Sequence, residues 1–415
     1  MKICGIVAEY NPFHNGHKYQ IEEIKKETRC DTVVAVMSGN FLQRGIPASF
    51  DKWTRAKMAI ENGVDVVIEL PTCYATASSE FFSLGAIGIL EKLGCVSNIS
   101  FGAMCDDLGL LLKISDTLYK EPKKYKELLQ KELKNGSSFP KARSNALCEF
   151  LSNSLSIKKN ELETILLDPN NILAIEYLKA LKKYKSKITP FVVKRKGTSY
   201  NSLELNKKEN ICSSTAIREI LSSDSITKIK KFVPNSTYEL IKNELKIDKK
   251  IMELYSFEHE IFYKLRSMSK EELKEILDVE EGFENTIAKG LMNSVDINSL
   301  INNLKSKRYT QTRIQRILIH SLLDIKTKFL KEYKNKPQYA RVLAISKNGK
   351  KVLSEISRNS KIPIITNVAK FMKESSKNQK EMLGLDILAT NVYTLGYNNK
   401  KYRNNNLDYT MPIIK

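Results

Sequence analysis

An α/β fold on a doubly wound parallel sheet follows from three features of this chain. Apolar, β-branched runs of strand length recur through residues 1–225, helical patterns stand between them, and the composition is that of a folded protein, with 42% hydrophobic residues and ordinary glycine and proline counts. The first strand is expected at Lys2–Glu9. Asn11-Pro12 is a turn dipeptide, and a helical pattern follows over His17–Thr28. Asp31–Ser38, Asp65–Leu70, Val96–Gly102 and Thr189–Arg195 read as the next four strands, with helices over Lys52–Asn62 and Ser79–Leu93 between them. A helical insertion, roughly 105–185, separates the fourth and fifth strands. Ligands of such sheets bind beyond the carboxyl ends of the strands. Tyr10–His17, Ser38–Arg44, Gly102 and Arg195 are thereby expected on one rim.

Residues 226–335 turn helical, with apolar residues at three- and four-residue spacing in Asp248–Glu260, Lys270–Leu277 and Gln311–Leu330. Residues 336–415 mix short β-like runs (Ala340–Ser346, Thr394–Tyr397) with helices and loops, and Asn398–Asn406 reads as a basic loop. Three parts are therefore expected: a catalytic α/β domain over 1–225, a helical domain over 226–335, and a small basic α/β segment over 336–415.

The net charge of +21 is unevenly spread. Residues 301–415 hold 24 Lys+Arg against 7 Asp+Glu, whereas residues 251–300 hold 5 against 11. A lysine-rich proteome raises every surface alike; it does not set an acidic stretch beside a basic one. A polyanionic partner for the last third is expected. Within it, Lys305–Arg316 carries Lys305, Lys307, Arg308, Arg313 and Arg316 with no carboxylate of its own. Arg308, Arg313 and Arg316 are the candidate RNA contacts, and Tyr309 is expected to pack. The seven cysteines are scattered, never in a CxxC spacing, so neither a zinc site nor a disulfide framework is expected. No segment approaches the ~20 apolar residues of a membrane span, and no signal-peptide pattern opens the chain. A cytoplasmic location is expected, without membrane association or a protein partner.

The chemistry is concentrated at His14-Asn15-Gly16-His17. A strand–turn–helix context aims orphan N–H groups at whatever sits above the strand end, a ready phosphate site. Two imidazoles three residues apart can donate to a polyphosphate and to charge that develops during transfer. A second phosphate element is Ser213-Ser214-Thr215-Ala216-Ile217-Arg218, where hydroxyl residues cap a helix and Arg218 supplies a forked cation.

These two elements resemble the HxGH and SSTxxR-like signatures of the nucleotidylyltransferase superfamily, which has a Rossmann-like fold. Further stretches narrow the resemblance: Ile6–Phe13 before the HxGH, Ser38–Gly45 with Pro47-Ala48 and Asp51–Arg55, Ser100-Phe101-Gly102, Pro169–Leu173 with Glu176-Tyr177, Arg195 before Gly197, Lys307–Thr310 and Tyr339–Leu343. Together they resemble the bacterial tRNA(Met) cytidine acetate ligases over essentially the whole chain. One departure stands out: Ala103-Met104 occupies the place where the resemblance leads one to expect Ser-Glu.

The resemblance implies an enzyme that activates acetate with ATP as acetyl-adenylate. It then acetylates N4 of the wobble cytidine of elongator tRNA(Met). His14, His17 and Arg218 are the implied catalytic residues. ATP would be cradled by Val7, Ala8, Glu9, Tyr10, Asn11, Pro12, Phe13, His14, Asn15, Gly16, His17, Lys18, Tyr19 and Gln20, with Gly102, Arg195, Ser213, Ser214, Thr215 and one of Asn170 and Asn171. Mg²⁺ is expected as the counterion of ATP and not in a site built from protein carboxylates. Gln43, Arg44, Lys52 and Arg55 are candidate contacts to tRNA or substrate near the mouth. His259, His320 and Trp53 are read as structural. The competing expectation is a small-molecule adenylyltransferase forming a dinucleotide-type cofactor, which shares both motifs but leaves some 190 further residues without a role. A catalytically silent RNA-binding protein is a third, opposed by the intact His14, His17 and Arg218.

Overall fold

In a computed structural model, which describes residues 1–137, 139–155, 157–195, 210–223 and 226–415, the five expected strands form as β1 (Ile3–Ala8), β2 (Thr32–Ser38), β3 (Val66–Leu70), β4 (Val96–Ala103) and β5 (Thr189–Lys194). All five pair in parallel, in the order β5-β4-β1-β2-β3. Because β1 lies between β4 and β2, the chain leaves it toward both sides, and this switch point opens a crevice above its carboxyl end. Two further strands, β6 (Ala340–Ile345) and β7 (Ile364–Ile365), extend the same sheet beyond β3. β6 runs antiparallel to β3, and β7 runs parallel to β6. The part from 336 onward thus shares a sheet with the first 225 residues.

Helices cover both faces. On one lie α1 (Asn15–Thr28) and α2 (Lys52–Ile60), whose Ile21, Ile24, Ala56 and Ala59 meet Cys4, Ile6, Val33 and Ala35 of the sheet. On the other, the short α3 (Thr72–Ala75) and α4 (Ser79–Lys92) pack with the insertion against Ile3, Val34, Val36 and Ile99. That insertion is α5 (Leu108–Lys120), α6 (Lys123–Lys134), α7 (Phe139–Leu155), α8 (Lys159–Leu167) and α9 (Pro169–Lys183). α10 (Ser214–Ser223) returns to the first face.

Three expected elements differ. Helix begins at Glu258–Ser267 after a 3₁₀ turn at Leu254–Phe257, in place of a continuous helix over 248–260. Gln311–Leu330 is two helices, Gln311–Leu322 and Thr327–Tyr333, separated where Asp324 adopts φ +54°. The run at 394–397 belongs to the end of the helix Lys377–Leu395 and the turn after it, not to a strand. A short apolar run carries no length signal to separate the two, and burial of Tyr393 and Thr394 on one helical face decides it.

A buried charge quartet ties the late segment down. Lys52 of α2 bonds Glu69 of β3 (2.7 Å) and Asp408 (2.6 Å), while Arg341 of β6 reaches the same two carboxylates. Four ionic groups out of water are tolerable only because each faces the opposite charge.

Candidate active site

His14 is the N-cap of α1, in extended backbone conformation, and accepts the Gly16 N–H at Nδ1 (3.0 Å). His17, three residues on, accepts the His14 N–H at its own Nδ1 (3.2 Å). The pair forms a capping box made of two imidazoles, stacked with centroids 3.7 Å apart. A ring nitrogen that accepts an N–H carries no proton, so in both neutral rings the proton sits on Nε2. His14 Nε2 is buried and has no hydrogen-bond partner among the described residues. Burial pushes the His14 pKa down to about 3, with the Arg195 and Arg218 charges adding to it. His17 is also held well below the ordinary value, first by burial and then by His14 and Arg195. The site therefore presents two neutral Nε2–H donors at a helix N-terminus.

α10 carries the second element expected to meet phosphate. The Ser213 hydroxyl accepts the Ala216 N–H (3.1 Å). Arg218 is oriented by the Asn11 carbonyl (2.9 Å) and the Thr215 hydroxyl (3.2 Å). A cavity of about 350 Å³ opens between these elements above β1, with a smaller recess of about 40 Å³ beside His14. Val7, Ala8, Glu9, Tyr10, Asn11, His14, Gly16, His17, Tyr19, Gln20, Gly102, Asn170, Arg195, Ser213, Ser214 and Arg218 line one or both. Gly102 makes room there: a Cβ would stand 3.3 Å from Arg195 Cγ. Lys196 and Gly197, next to Arg195, lie outside the described residues.

Five expected ATP contacts, and Asn171 of the asparagine alternatives, do not line either space. Pro12 sits in the turn between Asn11 and Phe13, and Phe13 is fully buried against Tyr10 and His17. The Asn15 amide donates to the Asn210 and Lys231 carbonyls (2.9 Å each), bracing α1 against the segments before α10 and before the helix Asn235–Lys246. Lys18 faces Glu22 across one helical turn. Thr215 serves Arg218. Asn171 accepts the Met104 and Cys105 N–H groups (2.9 and 3.0 Å) and donates to the Ile165 carbonyl, so its amide is spent on the loop after β4. Of the asparagine pair, Asn170 faces the cavity, with its Nδ2 buried and without a hydrogen-bond partner among the described residues. Neither is an N-cap; Asp168 caps α9, accepting the N–H groups of both.

Lys52 and Arg55 are also corrected. Both are 0% exposed and unable to touch RNA. Lys52 belongs to the charge quartet. Arg55 gathers the carbonyls of Glu9 (2.6 Å), Ser38 (3.1 Å), Phe50 (2.9 Å) and Gly39, pinning the ends of β1 and β2 together. Gln43 and Arg44 line the cavity. Trp53 is buried, and His320 is fully buried between the Leu277 and Thr76 carbonyls.

The basic segment before and within Gln311–Leu322 is balanced by the acidic stretch. Glu280 takes Arg308 and Arg313 (2.7 Å to the latter), and Asp278 takes Arg316 (2.7 Å). Tyr309 stacks on Phe283 at 3.4 Å and packs as expected. Arg316 and Thr312 form one wall of the cavity. Ser79, Phe82, Phe101, Ile172, Leu173 and Tyr177 also line it without having been read as site residues. Phe101, Ile172, Leu173 and Tyr177 lie in stretches that carry the family resemblance, but nothing in a lone apolar side chain marks it as facing a cavity. Among the described residues no three His, Cys, Asp or Glu side chains converge as a metal site, and no helix is long and apolar enough to cross a membrane.

The HIGH Nucleotidyl Transferase family model matches residues 1–408. The chain is 44% identical over 415 residues to a tRNA(Met) cytidine acetate ligase of Thermoanaerobacter sp. (strain X514), and 45% identical to that of Caldanaerobacter subterraneus subsp. tengcongensis, with both chains covered completely in each case. Crystal structures of Thermotoga maritima TmcAL, 31% identical, superpose on the whole chain and 99% of theirs, with TM-scores of 0.95 for the apo form and 0.93 for the form bound with alpha-thio ATP. Paired neutral imidazoles at a helix start above a switch-point crevice, in a chain alike from end to end, leave one assignment: the chain belongs to the tRNA(Met) cytidine acetate ligases of the HIGH nucleotidyl transferase family.

Proposed function

We propose that the chain activates acetate with ATP and acetylates N4 of the wobble cytidine of elongator tRNA(Met) in the cytoplasm. The observation that carries the reading is the pair of neutral Nε2–H donors at the α1 N-terminus, with Arg195 and Arg218 on the same rim. An acetate oxygen attacks the α-phosphorus, the bond to the β-phosphate breaks, and pyrophosphate leaves. His14, His17 and Arg218 stabilise the charge that moves onto the leaving phosphate and the five-coordinate phosphorus. No protein nucleophile is needed, since positioning and charge stabilisation suffice for this transfer. Mg²⁺, when bound with ATP, neutralises phosphate charge. The cytidine N4 then attacks the acetyl carbon and AMP leaves.

The tRNA approaches over the wall made by Gln43, Arg44, Thr312 and Arg316, with Arg308 and Arg313 flanking it on backbone phosphates. Their ion pairs with Asp278 and Glu280 set the direction of the guanidinium groups rather than exhausting their donors. A small-molecule adenylyltransferase would have no use for a cavity wall contributed by the helical region. The test is incubation with ATP, acetate and bulk tRNA, followed by nucleoside mass spectrometry. N4-acetylcytidine that depends on all three is the expected product; an adenylylated small molecule with unmodified tRNA would exclude the ligase.

A further inference from the structure

Glu9 is the only carboxylate lining the cavity among the described residues. A carboxylate repels a polyphosphate, so within the 7–20 stretch expected to cradle ATP the Glu9 side chain does not serve the phosphates, whatever its backbone lines. Its position points to the second substrate. The residues expected to hold ATP stand at β1, β4 and β5: His14 and His17 after β1, Gly102 on β4, and Arg195 after β5. The Glu9 side chain leans the other way, toward β2, where its Oε1 accepts the backbone N–H of Gln43 (2.9 Å). That bond is the only one its carboxylate makes among the described residues, and it leaves Oε2 for a ligand. Phe82, Phe101 and Tyr177, each 5% exposed or less, form the apolar floor of the same cavity, where the Phe101 and Tyr177 rings tilt against each other at 5.8 Å. An apolar floor can take the flat face of an unstacked base, and a carboxylate is the side chain that accepts from cytosine N4.

We propose that this end of the cavity is a cytosine-binding site, in which the Glu9 carboxylate accepts a hydrogen bond from the N4 amine and takes its proton during acetyl transfer. The inference rests on the ligase reading above. N4 forms a bond to the acetyl carbon, the bond from that carbon to the phosphate oxygen breaks, and AMP leaves with the electron pair. One N4 proton passes to Glu9 and then to water. Burial raises the Glu9 pKa, against the lowering by the Gln43 N–H and by the charges of Arg218, Arg44 and Arg55 that face it, so the ionised carboxylate is a stronger base than one in water. As pH falls through that raised value, Glu9 protonates and acetyl transfer is lost.

Glu9→Gln tests this, because the amide oxygen still accepts the Gln43 N–H while the base is gone. Two steps are measured: acetate-dependent ATP–pyrophosphate exchange, and single-turnover transfer from preformed acetyl-adenylate to tRNA. Transfer should fall by about 10²-fold or more while exchange changes by less than about threefold, the scale of losing a general base in one step only. The acid limb of the wild-type transfer rate should vanish in Glu9→Gln and persist, at a reduced rate, in Glu9→Asp. Equal losses in both steps would put the carboxylate on ATP and overturn the proposal. So would undiminished transfer with an unchanged acid limb, the pattern of a residue that merely holds the Gln43 loop. Wild-type enzyme that forms no N4-acetylcytidine overturns the ligase reading itself, whereas wild type that acetylates with Glu9→Gln keeping pace overturns only this proposal.

Discussion

His14 and His17 are both held uncharged. Each Nδ1 is occupied by a backbone N–H, which directs both protons to Nε2 and toward the cavity. Donors fixed in this way stabilise charge in the transition state without reorganising. Replacing either with Ala should lower acetate-dependent pyrophosphate exchange by roughly 10²-fold or more, the scale for loss of one such donor, with ATP affinity less affected; steady-state exchange and equilibrium ATP binding measured on the same variants would show the split. A pH effect on stability follows from the same burial. The unfolded chain protonates an imidazole near pH ~6.5, whereas folded His14 does so only near about 3. Between those values the unfolded state binds more protons, so stability falls as pH falls. Thermal midpoints should therefore drop as pH goes from neutrality into the acid range. His14→Asn, which keeps an N-cap acceptor, should make that slope shallower. An unchanged slope in melts followed by circular dichroism would assign the acid sensitivity to other groups.

The loop between β2 and α2 is the element on which the two substrates' surroundings meet. It carries Gln43 and Arg44 into the cavity, and its Gly45 presses against the helix Gln311–Leu322 that carries Thr312 and Arg316. At φ +71° a Cβ on residue 45 would lie 2.1 Å from the Arg316 backbone nitrogen. Gly45→Ala cannot be absorbed by a side-chain shift. The left-handed backbone and the forced displacement together should cost about 2–4 kcal/mol in urea unfolding. The cavity wall moves with the helix, so tRNA acetylation should fall further than pyrophosphate exchange. Equal falls in the two activities would show that the loop and the helix do not act on the acceptor.

At the scale of the whole molecule, the late segment is fastened to the catalytic sheet by charge as well as by β6. Lys52, Glu69, Arg341 and Asp408 come from α2, β3, β6 and the end of the chain, and all are nearly or fully buried. Arg341→Met should destabilise the fold by about 3–5 kcal/mol, because two buried carboxylates would then face Lys52 alone. Urea unfolding of the variant measures this. A loss under about 1 kcal/mol, the range of an exposed pair, would mean that water reaches the quartet.

The strands β1 to β5, the helices between them and the paired histidines at a helix start were legible in the sequence, since each rests on local rules. Strand length, helical spacing and a His-x-x-His turn depend on neighbours within a few residues. The fate of individual polar groups was not legible. Lys52 and Arg55 read as surface cations because nothing nearby reveals that Asp408, 356 positions away, or the ends of two strands will enclose them. Arg308, Arg313 and Arg316 read as an unbalanced patch because Asp278 and Glu280 belong to a separate stretch that only folding brings alongside. Likewise Asn170 and Asn171 are equivalent in sequence and opposite in role. Helix geometry rotates one toward the cavity and the other toward the Met104 and Cys105 amides. The sequence by itself determined the α/β sheet, the paired histidines at a helix start and the family likeness, all carried by contiguous residues. Only the tertiary structure decided that β6 joins the sheet, which cations are spent inside the protein, and that Glu9 turns toward β2, because burial and charge pairing are set by partners far apart along the chain.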